Sequence, residues 1–181
     1  MIGHAQAMTG QAIGFLIIDR LHVTPLDALQ PTGLVLMLGA VSSLLVQWGL
    51  IPLFDLKPRA LVLIGVALGS AGCVATGSAT SLYGIAMGYA LTSLGMGLAR
   101  PGFTAGSSLA VGAEAQGSVA GKVTSINGAA FVLGPSIGVG LYEVWRPLPY
   151  LTAAAALACL LAYGWLSLRP SDHGHGASPA Q

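Results

Sequence analysis

Apolar and polar positions are grouped in long blocks along this chain. Five apolar stretches follow one another from Thr32 to Leu168, over 32–54, 60–79, 82–111, 122–142 and 150–168. Short pieces holding nearly all the charges separate them. A helix needs an apolar run of ~20 residues to cross the hydrocarbon core of a bilayer. The pattern therefore predicts an all-α, polytopic membrane protein. A sixth stretch, 1–18, precedes these with no polar segment ahead of it. At ~1.5 Å per residue it predicts a helix of about 27 Å, shorter than a comfortable crossing. It is also the most polar of the six, carrying His4, Gln6, Thr9 and Gln11 before it ends at Asp19-Arg20.

The breaks are equally specific. Arg20–Gln30 reads as a loop with a short helix, because Thr24-Pro25 followed by Leu26-Asp27-Ala28 is a helix-start pattern. Asp55–Arg59 and Ser78–Ser81 are tight turns, Gly112–Gly121 is a polar connection with Glu114 and Gln116, and Glu143–Pro149 is a short loop. The tail 169–181, rich in Pro, Ser and Gly, is expected to be disordered and cytoplasmic. Within the stretches, Gly65-xxx-Gly69 with Gly72, and Gly84-xxx-Gly88 with Gly95 and Gly97, form small-residue stripes that let membrane helices approach closely.

Composition agrees with lipid as the solvent. Charged residues are 7% of the chain and apolar residues 54%, with a mean hydropathy of +0.77, whereas a soluble domain carries roughly 25% charge. The net charge of +1 gives no case for nucleic acid. Cys73 and Cys159 sit inside apolar stretches without CxxC spacing or a nearby His, so they read as buried small residues, with no metal or redox role. Helix alternation places Lys57, Arg59, Lys122 and Arg169 on one side and Arg20 and Arg146 on the other. That bias makes the first side, with both termini, cytoplasmic. Trp48 and Trp165 then mark one interface, and Tyr83, Tyr142, Trp145 and Tyr150 the other.

Few residues carry chemistry. Arg100 lies beside Pro101 within stretch 82–111. If the helix runs on to Val111, Arg100 is about 16 Å from its end. A charge at that depth costs at least ~2.5–3.5 kcal/mol, so it must face a cavity or a partner. If the helix ends near Pro101, Arg100 instead reaches back to the surface. Gln11 and Asn127 are uncharged polar groups able to bond a ligand across a cavity, or simply to bond neighbouring helices. Gly134-Pro135 removes a helical hydrogen bond and gives a kink or a gating hinge. Asp19 and Arg20 face each other or water at the outer end. His173 and His175 on a flexible tail make a poor metal site. HExxH, GxSxG and phosphate-loop signatures are missing, which argues against an enzyme and against any cofactor.

Four pieces, in order, carry a family resemblance. They are Gly14-Phe15 to Asp19-Arg20-Leu21; Lys57-Pro58-Arg59; Gly95-Met96-Gly97 through Pro101-Gly102 to Ser107-Ser108-Leu109; and Gln116-Gly117-x-x-Ala120-Gly121 leading to Gly134-Pro135-x-x-Gly138 and Leu141-Tyr142-Glu143. Together they resemble helices seven to twelve, the C-terminal half, of a major facilitator superfamily transporter of the drug-exporter-like branch. The resemblance implies a six-helix bundle with a shortened first helix, equivalent to half of a carrier that works by alternating access. It also implies a small organic substrate, drug-like efflux coupled to protons, and an inner-membrane location. Gln11, Arg100 and Asn127 would line the cavity, with Pro101, Gly134 and Pro135 as hinge positions. A twelve-helix carrier needs a partner bundle, so the expectation is that Met1 falls inside the family's seventh helix. The missing half then lies upstream, or a second copy supplies it. A non-transporting fragment or partial gene product is the alternative.

Overall fold

The computed structural model describes residues 1–54 and 56–167. Asp55 and the tail that carries Arg169, His173 and His175 lie outside the described residues. Among the described residues every regular element is helical, and six long helices follow one another: α1 (Ile2–Leu21), α2 (Leu29–Phe54), α3 (Pro58–Ser78), α4 (Leu82–Leu109), α5 (Ala113–Val144) and α6 (Leu148–Ser167). All but α1 are long and apolar enough to cross a membrane. The chain is therefore compatible with a multi-pass membrane bundle.

Local chemistry sets the helix ends. α1 runs past Asp19-Arg20 because no breaker intervenes before His22, whose left-handed φ of 55° closes the helix. Arg20 in the last turn suits the negative end of the helix dipole. The predicted short helix at Leu26 is only a turn, in which the Thr24 hydroxyl oxygen accepts from the Asp27 N–H at 3.2 Å. α2 contains a π-turn at Val46–Leu50, where the Ile51 N–H bonds to the Val46 carbonyl just before Pro52. α3 opens with Pro58 in its first turn, where the missing N–H costs nothing. Ser81 caps α4 by accepting from the Gly84 N–H at 3.2 Å.

α5 begins at Ala113, well before the expected Lys122. Glu114 favours its positive end, and neither Gln116 nor Lys122 breaks a helix. At 32 residues it is about 48 Å long, against a hydrocarbon core of ~30 Å. Its polar first turns are therefore free to project beyond the lipid.

α1 is packed into the bundle despite its polarity, touching α2, α4, α5 and α6. Ala12, Ile13, Leu16 and Ile17 are fully buried against Val35, Ile85 and Tyr150. The buried Thr9 hydroxyl donates to the Ala5 carbonyl at 2.9 Å, so its polarity is satisfied within the helix. The tightest pair is α3 with α4, where the backbones approach at glycines: a Cβ on Gly95 would collide with the Gly69 nitrogen and the Gly65 carbonyl. α1 meets α5 the same way, Gly134 against Ala7 and Gly138 against Met8.

Several residues are placed differently from expectation. Tyr142 and Tyr150 are core residues rather than an interfacial belt, at 8% and 0% exposure. Both belong to the buried cluster built on Ala12, Ile13, Leu16 and Ile17 of α1. Cys73 is buried but Cys159 is exposed on α6.

Candidate substrate cavity

α4 is unbroken through Pro101. Pro101 lacks one helical hydrogen bond, to the Gly97 carbonyl, and the helix tolerates the loss because neighbouring turns hold it. Arg100 therefore sits about 14 Å of helix away from Leu109, and α4 does not end at Pro101. The Arg100 Nε and Nη2 atoms are buried without a hydrogen-bond partner. Its guanidinium carbon lies 5.3 Å from the centre of the Phe131 ring on α5, a cation–π contact between the two helices. Among the described residues Arg100 belongs to no ion pair.

A small cavity of about 210 Å³ opens at this guanidinium, walled by Ile2, Arg100, Phe103, Thr104, Asn127 and Phe131. A larger one of about 510 Å³ adjoins it and shares Ile2, Phe103 and Asn127. Its walls are mainly apolar and include Met1 just ahead of α1 and Tyr163 on α6. The volume is in the range of small-molecule pockets. Asn127 reaches the wall because α1 has Gly3 there: a Cβ on Gly3 would lie 3.0 Å from the Asn127 Oδ1. Arg59 also lines the larger cavity, and its Nε is buried without a partner.

Of the three expected cavity residues, Arg100 and Asn127 meet in one cavity, and Gln11 lines neither. Gln11 is exposed on α1, on a stripe with His4, Phe15 and Ile18, positions that helical periodicity places on one face. Gly134 and Pro135 lie in a continuous α5, with Gly134 pressed against Ala7. Arg59, Phe103 and Phe131 went unrecognised in the sequence. Arg59 read only as a loop charge, although Pro58 just before it marks a helix start.

A second polar cluster closes the opposite end of the bundle. Asp19 and Arg20 do not face each other. The Asp19 Oδ2 lies 3.0 Å from the Arg146 Nε and accepts from the Tyr142 hydroxyl at 2.6 Å. The Arg20 Nη2 donates to the Gly77 carbonyl at 3.3 Å. Tyr142 also packs on Phe15, ring centres 6.0 Å apart. The last turns of α1, α3 and α5 are thereby tied together.

No protein-family model and no curated protein matches the chain.

Proposed function

We propose that this bundle carries a small organic solute across a membrane by alternating access, as one half of a facilitator-type transporter. The observation that supports this reading best is Arg100, a cation deep in an apolar helix with no ion-pair partner among the described residues, set in the wall of a small cavity that adjoins a ligand-sized one. Ionisable groups within membrane helices are rare and costly, and those that face a cavity mark substrate or ion pathways. The two ends of the bundle also differ in kind. One holds the open cavity, and the other is tied by Asp19, Arg146 and Tyr142. A carrier resting with one side open needs that asymmetry.

In this reading the cavity end, with Lys57 and Arg59, is cytoplasmic, and efflux is coupled to protons. Drug-like solutes are the substrate class. The stripe of half-buried His4 and exposed Gln11 and Phe15 on α1 is the surface that a second bundle covers. A second copy of the same chain is one source of that bundle. Cys residues placed at Gln11 in two copies then crosslink.

The test uses inverted membrane vesicles from cells expressing the full chain, a panel of anionic, neutral and cationic organic solutes, and an imposed pH gradient. The reading predicts solute accumulation above empty-vector vesicles that collapses with an uncoupler. A panel with no member moved above background would refute the carrier reading.

A further inference from the structure

The structure assigns the joined cavities to an anionic head on an apolar body, an organic carboxylate held by Arg100. The polar groups converging on the small cavity are a guanidinium, the Asn127 amide and the Thr104 hydroxyl. All three can donate hydrogen bonds, and among the described residues no carboxylate lines either cavity. A cationic ligand would meet Arg100 with no carboxylate among the described lining residues to offset the repulsion. A neutral acceptor could bond to the guanidinium but without the charge assistance and the second oxygen that a carboxylate brings. A carboxylate matches the planar fork of a guanidinium and forms charge-assisted bonds to it. The guanidinium carbon stands 5.3 Å from the centre of the Phe131 ring, and a carboxylate bonds in the guanidinium plane, at its edge. Beyond the head, the larger cavity of about 510 Å³ offers apolar walls for a ring system or alkyl chain. The Arg59 Nε at its rim lends a second positive field without occupying the small cavity.

The same head-and-body chemistry occurs in free aromatic or fatty acids and in anionic phospholipids, and the experiment separates them. The inference rests on the carrier reading for its purpose, but it is tested by binding alone. The full chain is placed in phosphatidylcholine nanodiscs, and binding of 2-naphthoate is measured by calorimetry. The neutral 2-naphthalenemethanol serves as an isostere. Saturable 2-naphthoate binding is expected, weakened about 10- to 100-fold in Arg100→Gln, the scale of losing hydrogen bonds to a charged group. The alcohol should bind more weakly and ignore the substitution. Adding phosphatidylglycerol to the nanodisc should compete with 2-naphthoate in the wild type but not in Arg100→Gln if a lipid headgroup is the occupant. Absence of competition assigns the site to a free solute.

If Arg100→Gln does not fold, Arg100→Lys and Asn127→Leu give the same readout, each weakening 2-naphthoate several-fold. The inference is overturned if 2-naphthoate does not bind the wild type, if the alcohol binds as tightly, or if the substitutions leave affinity unchanged. Transport of cations unaffected by Arg100→Gln sinks the carboxylate assignment and leaves the carrier. Carboxylate binding without transport of any solute does the reverse.

Discussion

Replacing Gly95 by Ala should loosen the bundle although it adds a single methyl group. The new Cβ would collide with the Gly69 nitrogen and the Gly65 carbonyl, and would lie 2.8 Å from the Gly69 Cα. Ordinary contacts of a Cβ lie at 3.4–4 Å. All three atoms are backbone, so no side chain can rotate away, and α3 and α4 must separate locally. That separation also relaxes the seat of Gly88 against Thr76, where a Cβ would stand 2.6 Å from the Thr76 nitrogen. Overpacking of this kind costs about 1–3 kcal/mol. A clash with three backbone atoms lies in the upper part of that range, about 2–3 kcal/mol; gaining Ala in a helix interior returns up to ~1 kcal/mol, so the net loss is about 1–2 kcal/mol. Gly140→Ala is the control, because its Cβ would meet nothing within 4 Å. Only the propensity gain acts there. Reversible unfolding with increasing sodium dodecyl sulfate, from dodecylmaltoside micelles, should move the two midpoints in opposite directions. A Gly95→Ala protein as stable as wild type would refute the close approach of α3 and α4.

Three further outcomes test other parts of the structure. Asp19→Ala strands the buried Tyr142 hydroxyl and should cost about 1–3 kcal/mol. The lost pair with Arg146 adds little, because that side chain is 61% exposed. Asp19→Asn keeps an acceptor and should cost less, so equal thermal midpoints for the two variants would contradict the hydrogen bond. Ser81→Ala removes the cap of α4 and should lower stability by ~1 kcal/mol in the same titration; no shift would exclude the cap. Cys73 is fully buried and Cys159 exposed, so intact-mass analysis after N-ethylmaleimide should find Cys73 unmodified until the protein is unfolded. Rapid labelling of Cys73 in the native protein would place it outside the core.

The apolar stretches made the helices legible because their length against a bilayer is a strong physical constraint. The start of α5 was not legible, since Glu114, Gln116 and Lys122 read as loop while a helix emerging into water accepts them. Long-range partners were out of reach in principle. Tyr142 meets Asp19 across a sequence separation of 123 residues, and nothing local to either residue announces the other. Arg100 stood out because its cost in hydrocarbon is local information. Its contact with Phe131 depends on how α4 and α5 pack, as does the joining of its cavity to the larger one beside Arg59. Gln11 illustrates the converse: its polarity was visible, but only the bundle shows that it faces away from both cavities.

The central claim is that the bundle moves a small solute by alternating access, and counterflow in proteoliposomes tests it most directly. The purified chain is reconstituted, loaded with an unlabelled solute selected by the vesicle panel, and diluted into trace radiolabelled solute. A carrier whose site faces each side in turn predicts a transient overshoot of label inside, lost when the internal solute is omitted. Label that enters no faster than in protein-free liposomes, or that equilibrates without overshoot, would contradict the account.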